Sequence, residues 1–191
     1  PNGVYIRQGA SSVPASPEQI RQMIKDLDGD VFEDMRSMEQ SLTFHAAEKM
    51  FKKYNVEFSA EKYRVLGMID SSDSLYTNLA LLISDQCMHT TKVAVFANDT
   101  NTEFRDSKEF TGSVFEQLEN TFDYLMLCNK TMATFKGLER VERSDYPQEA
   151  IREALLNAIV HRDYSFSGSI IINVNDNEME FISIGGLVSG L

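Results

Sequence analysis

Apolar positions change period several times along the chain, and each change marks an element. "GVYIRQGASS" alternates briefly and then turns, predicting a strand over Val4 to Arg7. In "ASPEQIRQMI", Ser16 suits an N-cap, Pro17 a first helical position and Gln19 the third position of a capping box, so a helix to about Leu27 follows. "DLDGD", Asp26 to Asp30, lacks the closing Glu of a calcium loop and reads as a turn. "TFHAAEKMFKKY" places Phe44, Ala47, Met50, Phe51 and Tyr54 on one helical face. Further helices are predicted over Ala60 to Leu66 and, after Thr77, over "NLALLIS", with "DSSDS" as a loop between them.

"KVAVFAND" from Lys92 has the unbroken apolar character of a buried strand. "EFTGSVFEQLENTFDYLMLCNK" supplies a long amphipathic helix through Val114, Leu118, Thr121, Phe122, Leu125 and Met126. "TFKGLERVER" alternates as a strand would. The closing unit is a helix from Pro147 to about Arg162, then strands near Ile170 to Val174 and Met179 to Ile184, separated by "NDNE". This succession predicts an α+β fold of mixed helices and short sheets.

Composition narrows the picture modestly. The chain has 191 residues, 42% hydrophobic and 25% charged, enough for one substantial core. No apolar run approaches the roughly 20 residues that span a bilayer, so no membrane partner and a cytoplasmic location are expected. Cys87 and Cys128 are far apart and lack metal-type spacing, which suits free thiols in a reducing compartment. With 18 Lys+Arg against 29 Asp+Glu, the net charge of -11 repels polyanions, arguing against a dedicated nucleic-acid surface here. The short basic groups Lys52–Lys53 and Lys136, Arg140, Arg143 read as solvated faces, and His45 and His89 lack ligand-spaced partners. The chain starts at Pro1 and stops in "GGLVSGL", so an excerpt of a longer protein is expected.

The candidate chemistry sits near the end, in "YPQEAIREALLNAIVHRDYSFSGS". Its "HRD" is the tripeptide of the protein-kinase catalytic loop, but Gly168 stands where that loop needs its Asn, and no G-x-G-x-x-G occurs. On a helical wheel Ile151, Leu155, Ala158 and Ile159 form an apolar stripe, while Glu153, Asn157 and His161 line another face. A Glu and an Asn one turn apart can orient a water and hold magnesium beside phosphates. The same spacing arises on any amphipathic helix, so the residues alone leave both readings open. His161, Arg162 and Asp163 suit a helix end, where Asp163 can accept from a nearby amide and lock the helix to the following strand.

Together, "YPQEAIREALLNAIVHRDYS", the strand pair after it, "FISIGGLVSGL" and the opening "VYIRQGASSVPASPEQI" resemble the RecG-like, Schlafen-AlbA-containing bacterial transcriptional regulators. "KEFTGSVFEQL" is similar to that family's connecting region. The resemblance implies a C-terminal tail of an AlbA domain plus linker helix over 1–40, a mixed α/β connecting region over 41–143, and over 144–191 the truncated start of a GHKL-like ATPase α/β sandwich. By that likeness Glu153 is the catalytic, water-orienting base and Asn157 the magnesium ligand. His161 and the turn glycines Gly185 and Gly186 join Asn157 in binding the cofactor. ATP and Mg2+ are then expected to bind the full-length parent and not to bind this fragment tightly. DNA is expected as a partner through regions largely outside the fragment, and homodimerisation fits the same family. Ser183 and Ile184 replace the family's N-P, and the adenine-recognising Asp has no counterpart. An ATP-dependent helicase-related ATPase, or a dimerisation module with a vestigial nucleotide pocket, are the alternatives; no P-loop motif supports the former.

Overall fold

A computed structural model describes residues 3–8, 11–16, 19–20, 23, 31–70, 72–129, 131–136 and 139–185, with backbone alone for 131–136 and 139–143. Pro17, the Asp26–Asp30 turn and Gly186 lie outside the described residues. The architecture is α+β.

β1 (Tyr5–Gln8) pairs antiparallel with β2 (Ser11–Pro14), placing Ile6 opposite Val13. The second strand carries one apolar residue, too few to show as a strand pattern. Downstream, the Ser16 hydroxyl accepts from the Gln19 amide at 3.2 Å while the Gln19 side-chain oxygen accepts from the Ser16 amide at 2.9 Å. This is the reciprocal capping box that the residue types predict; most of the helix it opens lies outside the described residues.

A helical layer follows. α1 (His45–Lys53) buries Phe44 and Ala47, whereas Tyr54 at its far end is 65% exposed. Asp85 caps α1 from forty positions away, accepting from the His45 and Ala46 amides at 3.1 and 3.2 Å, the Thr43 hydroxyl at 2.7 Å and His45 Nδ1 at 2.7 Å. Burial alone would raise the Asp85 carboxyl, but the hydrogen bonds from Thr43, His45 and the Ala46 amide outweigh it and lower it to about 2.

The helix expected over Ala60 to Leu66 is instead a 3-10 turn, Ala60–Lys62, and a run of turns. Gly67 takes φ +74° and the Met68 amide reaches back to the Tyr63 carbonyl, so the chain reverses after one turn. Tyr63 thereby joins Phe44, Phe58 and Tyr76 in an aromatic cluster with centroids 5.2 to 6.4 Å apart. α2 (Asn78–Ile83) starts after Thr77 as predicted, and the Thr77 side chain caps it by accepting from the Ala80 amide.

The sheet has the order β4-β3-β7-β8. β3 (Thr91–Phe96) lies antiparallel to β4 (Phe104–Phe110) and parallel to β7 (Ile170–Val174), which pairs antiparallel with β8 (Met179–Ile182). β4 is an unpredicted edge strand: six of its seven residues are exposed, so no apolar alternation betrays it. Gly112 then turns the chain at φ +84°, and the Ser113 hydroxyl caps α3 (Val114–Cys128). In place of the single strand expected in "TFKGLERVER", β5 (Thr131–Lys136) pairs antiparallel with β6 (Glu139–Ser144).

α3 and α4 (Gln148–Val160) cover one face of the sheet. Leu125, Ile151, Leu155, Ala158 and Ile159 meet Val93, Ile170, Ile172 and Val174 in the main core. Val114 also touches the clusters around Phe44 and Leu82, tying the helical layer to the sheet layer. The expected segments 41–143 and 144–191 therefore share one sheet and one core, β3 lying in the first and β7 in the second.

Candidate functional site

The site is built on α4, whose ends are both fixed by side chains. At its start the Asn129 amide group donates to the Tyr146 carbonyl at 2.9 Å and accepts from the Tyr146 amide at 3.1 Å, while the Tyr146 hydroxyl donates to the Asn177 carbonyl. This clamp joins the end of α3 to the start of α4. Pro147 is the N-cap, in extended conformation, and Glu149 lies in the first turn, where negative charge is favoured.

At the other end the last carbonyls of the helix, which have no partner within it, are met from outside. The Tyr164 hydroxyl donates to the Ile159 carbonyl at 2.9 Å and the Ser183 hydroxyl to the Ala158 carbonyl at 2.8 Å. The Asp163 amide donates to the Ile184 carbonyl at 2.7 Å, and Asp163 Oδ1 accepts from the amide and hydroxyl of Ser165. So the helix end is joined to Ser183 and Ile184, just after β8, through the Asp163 backbone amide and the Ser183 hydroxyl, while the Asp163 carboxylate, expected to make the lock, closes a local turn with Ser165.

Arg162 holds the centre of this lock. It is 4% exposed, and its guanidinium donates to the carbonyls of Phe166 and Gly168 and to Nδ1 of His89. Because an arginine can only donate, Nδ1 of His89 accepts and the ring proton sits on Nε2. Burial, and then the Arg162 charge, lower the His89 pKa. Tyr164 stacks edge-on against His89 with centroids 5.1 Å apart, and burial pushes its hydroxyl up to about 12. Gln117, 3% exposed, extends the polar cluster by donating to the carbonyls of His89 and Gly112 and accepting from the Thr91 hydroxyl. No short-range spacing in the sequence signals this network, since Arg162 and His89 are 73 positions apart.

The candidate catalytic and cofactor residues are differently placed. Glu153, Asn157 and His161 are all exposed, on the side of α4 turned from the sheet. Glu153 makes one loose contact, 3.8 Å to the Arg152 guanidinium. His161 is the C-cap, its amide donating to the Asn157 carbonyl at 3.1 Å. Among the described residues none hydrogen bonds to the Asn157 side chain, so its oxygen is available to a metal ion. Gly185 is pressed against the helix end: a Cβ there would lie 2.5 Å from the His161 carbonyl oxygen. That close approach to backbone already explains the glycine. The structure thus brings His161 and Gly185 together, with Asn157 one turn away and Glu153 a further turn along the same helix. The set offers one side-chain amide oxygen, at Asn157, and one carboxylate, at Glu153. Among the described residues no group of three or more His, Cys, Asp or Glu is arranged to hold a metal ion, and no helix is long and apolar enough to cross a membrane.

No protein-family model matches the chain, and no curated protein matches it. Among solved structures, the chain is similar over its whole length to the DIP2311 protein from Corynebacterium diphtheriae, with a TM-score of 0.70 and 20% identity. It spans 40% of that protein's chain. At this identity the likeness establishes a shared fold.

Proposed function

We propose that the chain belongs to a DNA-associated transcriptional regulator and supplies part of a divergent, GHKL-like nucleotide-binding region. The observation that carries this reading is the exposed pair on α4, a carboxylate at Glu153 and an unengaged amide at Asn157, on a helix anchored at both ends. A carboxylate can orient water, and an amide oxygen can hold magnesium beside phosphates. The resemblance of "EALLNAIVHRDY" to the regulators' helix supports the same assignment. In this reading DNA contact is made largely by other regions of the regulator, because a net charge of -11 repels a duplex.

The second reading, a dimerisation or binding module with a vestigial pocket, draws on exposed apolar groups of α4 and of the strand pair β7–β8, where Ile171 and Ile182 lie opposite each other on the face turned from α4. Val160 is 66% exposed, and Ile171, Ile182 and Ile184 are each more than 40% exposed. Calorimetric titration of Mg-ATP and Mg-ADP into the full-length protein separates the two readings. Saturable binding supports a working nucleotide site; no heat with a stable dimer supports the module. The fragment itself is expected neither to hydrolyse ATP nor to bind duplex DNA tightly at physiological salt.

A further inference from the structure

β4 is an outer strand of the sheet, and among the described residues no strand pairs with its far side. The phase of the ladder fixes which backbone groups it turns outward. The Ile170 amide donates to the Thr90 carbonyl at 3.1 Å, so in the parallel β3–β7 ladder the backbone groups of Lys92 and Ala94 face β7, and those of Val93 and Val95 face β4. Their opposites across the antiparallel ladder, Lys108 and Asp106, therefore bond inward, and Ser107 and Glu109 present amide and carbonyl at the open edge. In keeping with this, the Ser107 amide is held locally, by Asp106 Oδ1 at 2.9 Å.

Charged side chains on an open edge commonly prevent pairing. On β4, "FRDSKEF", their order closes every register but one. The strand carries two cations, Arg105 and Lys108, and two anions, Asp106 and Glu109, so its charge sums to zero and only the order can select a partner. An antiparallel copy of the same strand must match outward residues with outward residues, which requires the two-fold axis to pass through a residue. Through Arg105, Asp106, Lys108 or Glu109 the axis sets a charged side chain against its own copy, and like charges directly opposite each other are unfavourable. Through Ser107, the uncharged centre, it sets Asp106 opposite Lys108 of the second copy and Lys108 opposite Asp106. Arg105, the residue added by the bulge in β4, then stands level with Glu109 of the second copy. The side chains of the central pair already stand on one face of the sheet, beside α3: Asp106 Oδ2 accepts from the Tyr124 hydroxyl at 2.6 Å, and the Lys108 ammonium lies 5.0 Å from the centre of the Tyr124 ring.

We infer that β4 pairs antiparallel with β4 of a second copy of this chain, about a two-fold axis at Ser107, joining two four-stranded sheets into one continuous sheet. The two Ser107 residues exchange amide-to-carbonyl bonds, and each Asp106 carboxylate, released from the Ser107 amide, meets Lys108 of the other copy. The contact goes beyond the nucleotide reading of α4 and uses none of the exposed apolar residues of β7 and β8.

Analytical ultracentrifugation of the full chain tests it. The wild type should self-associate with a dissociation constant of about 10–100 micromolar, weak as suits a contact of one strand. Lys108→Asp sets carboxylate against carboxylate at both central pairs, and Asp106→Lys sets ammonium against ammonium, so each variant alone should dimerise at least tenfold more weakly. Mixed in equal amounts, the two variants regain opposite charges at both pairs and should form a heterodimer of near wild-type affinity. The double variant Asp106→Lys, Lys108→Asp should self-associate like the wild type; should a single variant lose its circular dichroism, the other single variant and the double variant are read in its place. Glu153→Ala with Asn157→Ala should leave the dimer unchanged, so that failure here is distinct from failure of the nucleotide reading. A wild type still monomeric at about 500 micromolar, a dimer indifferent to the single variants, or a mixture no more associated than its components would each overturn the assignment.

Discussion

The guanidinium of Arg162 donates to Nδ1 of His89 across 3.1 Å, joining the end of α4 to the segment that leads into β3. Arg162 is buried and His89 half-buried, and the same guanidinium also holds the carbonyls of Phe166 and Gly168. Replacing Arg162 with Met should therefore cost about 1–3 kcal/mol, since two part-buried carbonyls lose a charged donor. Urea denaturation of the variant checks this, and a change under about 0.5 kcal/mol, the scale of ordinary surface substitutions, would contradict it.

The same contact sets a pH dependence. His89 must be neutral to accept from Arg162, and its pKa is lower in the folded chain than the roughly 6.5 of an unfolded histidine. Below about pH 6.5 the unfolded chain binds a proton that the folded chain resists, so this stabilisation is full above that pH and declines as pH falls. The melting temperature should fall from pH 7 to pH 5.5, and less so in His89→Gln.

Asp85 acts in a lower window. Its folded pKa of about 2 lies below the unfolded value of about 3.9, so its contribution is complete above pH 4 and is lost as pH falls toward 2. Asp85→Ala removes the remote cap of α1 and should cost about 1–2 kcal/mol at pH 7. The difference from wild type should shrink in thermal melts near pH 2.5.

Gly185→Ala would place a methyl group 2.5 Å from the His161 carbonyl oxygen. Neither backbone segment can yield as a side chain would, and a loss of about 1–3 kcal/mol is expected. Thermal denaturation reads it directly. An unchanged stability would mean that the turn does not sit on the helix end.

Glu153→Ala and Asn157→Ala should each change stability by less than about 0.5 kcal/mol, because both side chains are exposed and make at most one loose contact. By contrast Leu155→Ala, at a fully buried position on the same helix, should cost about 2–5 kcal/mol. Chemical denaturation of the three variants gives the comparison.

The parts of the fold legible in the sequence are those whose burial leaves a period. α3 and α4 show their apolar stripes, and Ile151, Leu155, Ala158 and Ile159 occupy the core face that the wheel assigns. β4 leaves no such trace because it is an edge strand with one buried residue, and β2 is too short and polar to read. Ala60–Leu66 carries a helical pattern, but Gly67 and the pull of Tyr63 into the aromatic cluster curtail it. At the site, spacing places Glu153 and Asn157 together on an open face. It does not reveal Arg162 as the buried hub, whose partners are two carbonyls and a histidine distant in the chain.

The central claim, that Glu153 and Asn157 serve a nucleotide, is tested most directly by calorimetric titration of Mg-ATP into the full-length protein and its Asn157→Ala variant. The account predicts saturable binding by the wild type and at least tenfold weaker binding by a variant with the same melting temperature. Equal affinity in both, or no binding by the wild type, would contradict it.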